Sequence, residues 1–488
     1  MEGMAKPNHV KASSTAYDLS FRKLQRRTLV ILYLTYGSFY LSRKADSMVK
    51  SALHETQHFS MEDLALADTA YLMAYTISLG VSGVAGNYVR SNVLLALGLL
   101  GIALTSFLKS RASTPLAFAF CQVLHAIAQS TGWPTCIKLV GAFVTENRGF
   151  VMGIWTTCQS LGGILGAVWA TSVATSYGWQ QAYLYHIPIL VLLSLVVVNF
   201  IVDEDSIPKA PVGDEEWQPL TKEDTSEEAK PRERSSSFAS KQKPPSMREV
   251  LKIPGVILIG VAYFHLKFLR YALLMWLPYY YEEGLHFSQA TSGYMSSSFE
   301  LGGFIGTPLI GLLSDRVMRG KRDLTSAWFM GGACVMLTGC IAVSHGNAAI
   351  NAFFMAIVGI LVIGPDSVLS GTIAQDLGSQ SPLGNKAIGT LAGLINSVGS
   401  FGSIFQSYAT AIISEHFGWR VLFSIFVVCA FVTSSILFRV AQDSIKRGSP
   451  SPLWLTPARQ RLMTTGLVGI GGLFALIAWS HEFGGEKA

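Results

Sequence analysis

Residues 28–50, "TLVILYLTYGSFYLSRKADSMVK", join an apolar run to two adjacent cations, Arg43 and Lys44. The run is long and apolar enough to predict a helix that enters a membrane. Arg43 lies sixteen residues beyond Arg27, which precedes the run. At a rise of 1.5 Å per residue, this places Arg43 roughly 24 Å along the helix. An arginine at that depth costs at least about 2.5 to 3.5 kcal/mol, so its position indicates a functional role.

The same apolar character extends over most of the chain. Of its 488 residues, 50% are hydrophobic and 14% are charged, and the mean hydropathy is +0.39. Soluble cores cannot bury so much apolar surface, so the composition predicts an all-α polytopic membrane protein. About twelve runs fit membrane-spanning helices. They are residues 28–49, 64–86, 93–108, 115–140, 149–175, 182–202, 254–279, 291–313, 325–345, 350–374, 387–414 and 419–440. Residues 462–480 are a candidate thirteenth helix.

The net charge of +6 is distributed by side of the membrane, which argues against a nucleic-acid partner. Basic residues cluster before the first span, after the eighth and after the twelfth: Arg22, Lys23, Arg26, Arg27, Arg316, Arg319, Lys321, Arg322, Lys446 and Arg447. The loops after spans five, seven and nine contain none, although Lys109 and Arg111 weaken the pattern after span three. The positive-inside rule therefore predicts that the N-terminus and the central loop are cytoplasmic.

The spans fall into two sets of six, separated by residues 203–253. This segment is charged and rich in Pro and Ser, which is typical of a disordered cytoplasmic linker. Its cluster Ser235 to Ser237 either accepts phosphate or occurs by chance. The predicted parts are a cytoplasmic segment (1–27), a six-helix bundle (28–202), the linker, a second six-helix bundle (254–440) and a C-terminal extension (441–488).

The two bundles echo one another in sequence. "QSLGGILG", from Gln159, corresponds to "NSVGSFGS", from Asn396, and "GVAGNYVR", from Gly83, corresponds to "GLLSDRVMR", from Gly311. Repeats of six spans in the same order are related by a pseudo-two-fold axis along the membrane normal, with the substrate site between them.

A second arginine repeats the feature of the first span. Arg270, in "FHLKFLRYALLMWLP", lies sixteen residues beyond Pro254, at the start of span seven. Arg43 and Arg270 are thus predicted at the same depth, one from each half. Facing guanidinium groups repel unless an anion lies between them, and their planar donors fit carboxylate or phosphate oxygens. The pair predicts an anion site, with phosphate the best fit.

The alternative is that internal carboxylates neutralise the arginines. Asp68, Glu300 and Asp366 lie within or at the ends of spans. For Lys44 we predict such a pair, with Glu300 across the two halves, where it would gate their opening. Lys267 lies one helical turn before Arg270 on the same face. It either adds a third positive charge to the site or pairs with Asp366.

Other side chains are candidates for contacts with the rest of a substrate: Tyr36, Tyr40, Tyr75, Gln159 and Asn396. Tyr36 and Tyr40 lie on nearly the same face of the first span as Arg43. The alternatives are that the tyrosines serve packing or interfacial anchoring and that the two amides hydrogen-bond between helices.

The sequence lacks the common motifs of catalytic sites. It contains no GxSxG, HExxH, phosphate-binding loop or CxxC pairing, which argues against an enzyme. The six cysteines all fall inside predicted spans, and nothing in their spacing indicates a disulfide framework or a metal site. No cofactor is therefore expected.

The loop "GLLSDRVMRGKR", Gly311 to Arg322, resembles the loop between spans eight and nine of the major facilitator superfamily, in which an Asp and several cations clamp neighbouring helices. The resemblance implies the major facilitator fold and gating roles for Asp315 and Arg316. "YLSRK", "STGWPTCIK", "FLRYALLMWLPYY" and "IGPDSVLSGTIAQDLGSQ" resemble the organophosphate:phosphate antiporters within it.

That second resemblance implies roles for particular residues. Arg43 and Arg270 align with the arginines that hold the substrate phosphate in bacterial members. Lys44 and Glu300 align with a second cation and an acid of the family. Three positions depart from the bacterial glycerol-3-phosphate transporters: Leu79 replaces a lysine, Gln159 a histidine and Met275 an acid. Leu79 and Lys267 instead resemble the eukaryotic sugar phosphate exchangers, so a bacterial substrate preference is not implied.

The expected function is exchange of an organic phosphate, such as glucose-6-phosphate or glycerol-3-phosphate, for inorganic phosphate by alternating access. The alternatives are a proton-coupled carrier of another organic anion and a sugar-phosphate sensor that does not transport. We expect a multi-pass protein of the endoplasmic reticulum, with the plasma membrane and the plastid envelope as alternatives. The sequence does not predict the oligomeric state.

Overall fold

The computed structural model describes residues 7–86, 88–144, 148–203, 247–342, 347–381 and 387–446, and within these ranges the secondary structure is helical without strands. Residues 204–246, with most of the predicted linker and its serine cluster, lie outside the described residues. So does the candidate thirteenth helix at 462–480.

The helices of the first half follow the six predicted spans. They are α1 (Pro7–Met48), α2 (Lys50–Gln57), α3 (Met61–Ala85), α4 (Ser91–Arg111), α5 (Pro115–Ser130), α6 (Gly132–Phe143), α7 (Arg148–Thr156), α8 (Cys158–Tyr177), α9 (Trp179–Leu184) and α10 (Ile187–Phe200). Spans four, five and six are each built from two successive helices. The first helix begins earlier than predicted, inside the segment expected to be cytoplasmic.

The second half repeats this order. Its helices are α11 (Met247–Leu251), α12 (Val256–Tyr279), α13 (Gln289–Arg316), α14 (Arg322–Ala342), α15 (Ala348–Ser367), α16 (Ile373–Gln380) and α17 (Ile388–Lys446). Short π-helical turns cover Tyr280–Gly284 and Val368–Thr372. Within α17, Gly418 has φ 82° and ψ 163°. Glycine tolerates this positive φ, so the break divides α17 into the predicted eleventh and twelfth spans.

Hydrophobicity supports the membrane assignment of these helices. By length and apolar composition, eight helical stretches in the described ranges qualify as candidate spans, and one of them, Thr390–Lys446, covers two predicted passes. Two long helices that do not qualify, α1 and α13, contain the charged residues Arg43, Lys44 and Glu300. The fold is an all-α membrane bundle, and α1 and α13 contribute part of the charge in its interior.

Side-chain caps define where several helices begin. The Thr114 hydroxyl accepts a hydrogen bond from the Ala117 amide at the start of α5, where Pro115 occupies the first turn. The Ser288 hydroxyl accepts one from Thr291 at the start of α13, and the Asn347 side chain accepts one from Ala349 at the start of α15. Each cap satisfies a backbone donor that the helix itself leaves without an acceptor.

The two halves contact each other through a symmetric set of helices. The fifth span of the first half, at α8, packs on the second span of the other half, at α13, and α3 packs on α17 in the reciprocal arrangement. Small residues permit close approach at these contacts. A Cβ on Gly293 of α13 would lie 2.0 Å from the Thr171 hydroxyl of α8. In both contacts the second span of one half packs on the fifth span of the other, as a pseudo-two-fold axis between the bundles requires.

The apolar core shows where the halves close on one another. In the described residues, one cluster belongs to the second half and another to the first. A further cluster joins the halves and includes Met48, Val49, Trp276, Tyr279 and Ala411. These residues lie at the end of the bundle away from the central linker. The described residues therefore close the space between the halves at that end, and no such cluster among them joins the halves at the linker end.

Candidate functional site

Charged side chains meet in the middle of the bundle, between the halves. Arg43 and Lys44 lie on α1, whereas Lys267 and Arg270 lie on α12, and these two helices contact each other across the halves. Tyr40 lies within electrostatic range of both arginines. The structure thus brings the two predicted arginines to one region.

Arg43 is surrounded by aromatic rings. Its guanidinium carbon lies 4.8 Å from the ring centroid of Tyr40, 5.6 Å from that of Tyr71 and 5.0 Å from that of Tyr75. Its Nη2 donates to the Gln129 side-chain oxygen at 3.3 Å, and its Nε has no hydrogen-bond partner. Ring faces attract a cation without cancelling its charge. Arg43 forms no salt bridge within the described ranges, so it keeps its charge and a free donor.

Tyr71 and Gln129 were missed by sequence reasoning. Tyr71 lies four residues before Tyr75, and this spacing places both rings on one face of α3. The two rings stack with centroids 5.9 Å apart. That spacing was the available signal for Tyr71. Gln129 had none, because its bond to Arg43 depends on how α5 packs beside α1.

Arg270 has a different environment. Its Nη1 forms a salt bridge with Oδ2 of Asp366 on α15, and the two side chains are 12% and 8% exposed. The Nε of Arg270 and the Oδ1 of Asp366 have no hydrogen-bond partner. For this arginine, the structure shows the internal carboxylate that the sequence left as an alternative.

Lys267 does not pair with Asp366, so that alternative was wrong. Its ammonium nitrogen lies 5.1 Å from the ring centroid of Tyr263 and 5.5 Å from that of Tyr271. In the part of the chain that the structure describes, it forms no salt bridge. The carboxylate of Asp366 instead contacts Arg270, which lies one turn further along α12.

Lys44 and Glu300 form the predicted pair between the halves. The Lys44 Nζ lies 3.3 Å from the Glu300 Oε1, and the side chains are 4% and 3% exposed. Lys44 also donates to the Leu274 carbonyl oxygen at 3.4 Å. Gly163 and Gly166 of α8 make room, since a Cβ on either would lie 3.0 Å from a Glu300 or Lys44 side-chain carbon. Loss of either charge would leave the other buried without compensation.

The predicted tyrosines occupy two kinds of position. The Tyr40 hydroxyl donates to the Gln159 side-chain oxygen at 2.8 Å, so both residues are near Arg43. Tyr36 is buried, and its ring centroid lies 5.4 Å from that of Trp133 and 5.6 Å from that of Trp155. Tyr36 therefore packs within the first half, whereas Tyr40 and Tyr75 contact the arginine.

Asn396, the repeat counterpart of Gln159, makes bonds to the backbone instead. Its side-chain nitrogen donates to the carbonyl oxygens of Ser370 at 2.8 Å and Ala392 at 2.9 Å. Ser370 belongs to the π-helical turn after α15. Here the structure shows the helix-to-helix hydrogen bond that the sequence had left open as an alternative.

The loop after span eight forms a clamp, although with a different cation. Arg322 contacts Asp315 at 3.7 Å and Asp376 at 2.7 Å, and so joins α13, α14 and α16. Arg316 is exposed and makes no salt bridge within the described ranges. Asp315 thus has the predicted kind of partner, whereas Arg322 takes the place expected for Arg316.

Four further charges of the first half are paired near the closed end. Lys50 contacts Asp68, and Lys109 lies 2.7 Å from Asp46. Lys50 also lies 3.6 Å from a ring centroid of Trp276 in the other half. Lys109, predicted to be a loop cation after span three, is fully buried.

A small cavity lies between these pairs and Arg43. Its volume is about 20 Å³, and its lining includes Tyr40, Arg43, Asp46, Asp68 and Tyr71. A cavity of this size holds a water molecule or two rather than a sugar phosphate.

Comparison with known proteins identifies the family. The family model described as "Major Facilitator Superfamily" matches residues 32–407. The chain belongs to the major facilitator superfamily. Its relatives within the superfamily support the organophosphate:phosphate antiporter branch. They include "Sugar phosphate exchanger 3" of Gallus gallus, 30% identical over 395 residues that cover 77% of this chain and 78% of the relative. "Putative glycerol-3-phosphate transporter 1" of Arabidopsis thaliana is 27% identical over 480 residues, with 88% and 90% coverage.

A solved structure supports the same fold. A bacterial homologue of the human lysosomal transporter Spinster matches with a TM-score of 0.58 at 12% identity, and the match covers 93% of this chain and 97% of that chain. At this identity the likeness concerns the fold alone. The relatives are membrane transporters, so this member of the superfamily is a transporter rather than an enzyme.

Proposed function

We propose that this transporter exchanges an organic phosphate for inorganic phosphate by alternating access. The observation that carries the proposal is the environment of Arg43, a partly buried cation that aromatic rings hold in place and that forms no salt bridge with a carboxylate in the described ranges. A charge kept in that state within a membrane protein requires a ligand of opposite sign. Lys267, also without a carboxylate in the described ranges, adds a second positive charge from the other half.

Phosphate suits this arrangement better than other anions. A guanidinium group donates two parallel hydrogen bonds to phosphate oxygens, and it stays charged when water is removed. In this proposal Arg43 binds the phosphate from the first half and Arg270 from the second, with Lys267 as a third point. Tyr40 and Gln159, joined by their hydrogen bond, contact the remainder of the substrate as one unit, and Tyr75 contacts it through its ring. Tyr36 and Asn396 support the site through packing and hydrogen bonds to the backbone.

Movement between two open states uses the contacts between the halves. The described halves close at the end away from the linker, so the substrate enters from the linker side, which we assign to the cytoplasm by the positive-inside rule. Opening at the other end separates Lys44 from Glu300 and Lys50 from Trp276. The clamp of Arg322 with Asp315 stays within the second half during this motion, and Arg316 remains at the surface beside it.

The carrier is expected to exchange substrates rather than to let phosphate leak, because reorienting the empty carrier would move an unpaired Arg43 across the membrane interior. When phosphate is bound, its charge offsets that of the arginine during the transition. The empty carrier lacks that compensation and reorients slowly. Net efflux of phosphate from loaded vesicles without external substrate would contradict this step.

The names of the relatives suggest a sugar phosphate and glycerol-3-phosphate as substrates, and for the sugar phosphate we propose glucose-6-phosphate. We propose residence in the endoplasmic reticulum membrane, with the N-terminus in the cytoplasm. Fluorescent tagging of the full chain tests the compartment, and protease protection of an N-terminal tag tests the orientation.

The deciding experiment is counterflow of labelled phosphate in proteoliposomes, with each organic phosphate and a panel of carboxylates as competitors. We expect competition by an organic phosphate and a loss of at least about tenfold in Arg43→Ala, since a hydrogen bond to a charged group contributes about 1.5 to 3 kcal/mol. Arg111→Ala, which changes an exposed arginine near Phe107, is the matched control and should exchange normally.

The outcomes separate the candidate functions. Competition by carboxylates with dependence on a proton gradient would instead indicate a proton-coupled carrier of other organic anions. Binding of sugar phosphate without counterflow would indicate a sensor. Full exchange by both Arg43→Ala and Arg270→Ala would contradict the proposed site.

A further inference from the structure

Asp366 places a negative charge against an arginine that the proposed function assigns to phosphate. Its Oδ2 contacts the Arg270 Nη1, and the carboxylate is buried. An acid at this point competes with the very ligand that the site is expected to bind. The arrangement is costly unless the acid has a task of its own.

The charges of the site indicate what the role of Asp366 is. Three cations lie between the halves, namely Arg43, Lys267 and Arg270. Lys44 is not included, because Glu300 cancels its charge. Within the described residues, Asp366 is the carboxylate that forms a salt bridge with one of them. Three positive charges and one negative leave a net charge of about +2. A phosphate monoester carries about −1.5 to −2 at neutral pH.

The contact with Asp366 leaves Arg270 able to bind a further group. Arg270 meets Asp366 through one nitrogen, and its Nε has no hydrogen-bond partner. The Tyr263 hydroxyl lies close enough to Asp366 for a side-chain hydrogen bond, and it also lies within electrostatic range of Arg270. Arg270 can therefore bind phosphate with its remaining donors while Asp366 stays in place.

The backbone around Asp366 supports a site rather than a simple packing contact. The π-helical turn Val368–Thr372 begins two residues after Asp366, and such turns occur often at functional sites. Asn396 donates a hydrogen bond to Ser370 in this turn, which fixes the turn against α17. The carboxylate is thus held at one position on α15.

We propose that Asp366 tunes the substrate site to a doubly charged phosphate by cancelling one of its three cations. This inference rests on the proposed function for the position of the site. With a net charge near +3 the site would hold the dianion too strongly for rapid release, and with +1 it would favour a monoanion. Asp366 and Lys267 are therefore opposite contributions to one charge balance.

The test uses neutral replacements of similar shape in phosphate:phosphate exchange. Asp366→Asn should lower the KM for phosphate, on the order of tenfold for a close charge pair, and lower kcat because release is slower. Lys267→Met should raise the KM. The double variant restores the net charge and should return the KM to about twofold of the wild type.

Charge preference gives a readout that a merely structural role would not change. Sulfate, a dianion, and dimethyl phosphate, a monoanion, serve as competitors of similar size. We expect Lys267→Met to shift the competition toward dimethyl phosphate, and Asp366→Asn to shift it toward sulfate. Asp443→Asn, which removes a surface carboxylate paired with Lys446, is the matched control and should change neither.

Two results would overturn the inference. One is a higher KM in Asp366→Asn that the second substitution does not correct, because Asp366 would then serve only to hold Arg270. The other is unchanged competition in all variants. If the wild type binds phosphate but does not exchange it for organic phosphate, the proposed function is wrong, but the role of Asp366 is not yet contradicted. The phosphate affinity of the same variants, measured by calorimetry in detergent, then tests whether Asp366 and Lys267 set the charge of the site.

Discussion

Arg43 and Arg270 occupy equivalent places in the two halves, yet their surroundings differ. Each lies sixteen residues into the first span of its half. Arg43 meets three tyrosine rings and an amide, whereas Arg270 meets the carboxylate of Asp366. Rings stabilise a cation and leave its charge intact, but a carboxylate cancels it. The internal repeat therefore accounts for the positions of the two arginines, but it does not account for whether a neighbouring carboxylate compensates each charge.

Because of this difference, we expect the two halves to contribute unequally to phosphate binding. The first half offers a full positive charge at Arg43. The second half offers Lys267 and a partly compensated Arg270, so its charge is adjustable by one substitution. Substitution of each arginine and of its neighbours in turn tests this difference between the halves.

The largest expected effect is on stability, in Arg270→Ala. This change leaves Asp366 buried without its partner and should lower the free energy of unfolding by about 3 to 5 kcal/mol. Thermal unfolding of the purified protein in detergent measures it. The double variant Arg270→Ala with Asp366→Asn should recover most of the lost stability. Arg43→Ala, which leaves no carboxylate without its partner, should lower the free energy of unfolding far less. Equal destabilisation by both single variants would contradict the contrast between the arginines.

A smaller effect is expected in Arg43→Lys, which keeps the charge and removes the planar donors. Lysine cannot donate the paired hydrogen bonds that fit phosphate. Exchange should fall by roughly 10-fold or more, in line with about 1.5 to 3 kcal/mol for a hydrogen bond to a charged group. Initial rates of labelled phosphate uptake measure it. Wild-type exchange would show that the charge alone suffices at this position.

The aromatic environment of Arg43 is tested by Tyr75→Leu against Tyr75→Phe. Loss of one ring face should weaken phosphate exchange a few-fold, since a cation–π contact contributes about 0.5 to 2 kcal/mol. Phenylalanine keeps the ring and should stay near the wild type. A hydroxyl role for Tyr75 in binding the substrate would instead make both variants equally weak.

The smallest effect concerns the bond between Tyr40 and Gln159. Tyr40→Phe and Gln159→Leu each remove it, at about 0.5 to 1.5 kcal/mol. The double variant should lose little more than either single one, because the two residues share that interaction. The apparent affinity for organic phosphate is the measurement. Strictly additive losses would mean that each side chain contacts the substrate separately.

Much of the fold could be predicted because it depends on local properties of the chain. Apolar runs of membrane length gave spans that the helices follow, and the break at Gly418 divides α17 where two spans were expected. The pair of Lys44 with Glu300 was also expected. Lys109 was misplaced, because a cation near the end of an apolar run looks the same whether it faces the headgroups or a buried acid such as Asp46.

The sequence by itself determined the order of the helices in the described ranges, the repeat of two halves and the equivalent places of the two arginines along their helices. These follow from hydrophobicity and from residues counted along a helix, which need no knowledge of neighbours. Only the tertiary structure decided which acid meets which cation. Lys267 and Arg270 share one face of α12, and Asp366 lies 96 residues beyond Arg270 in the chain. Their pairing depends on how α15 packs beside α12, because a shift of one helical turn would have given the carboxylate to Lys267.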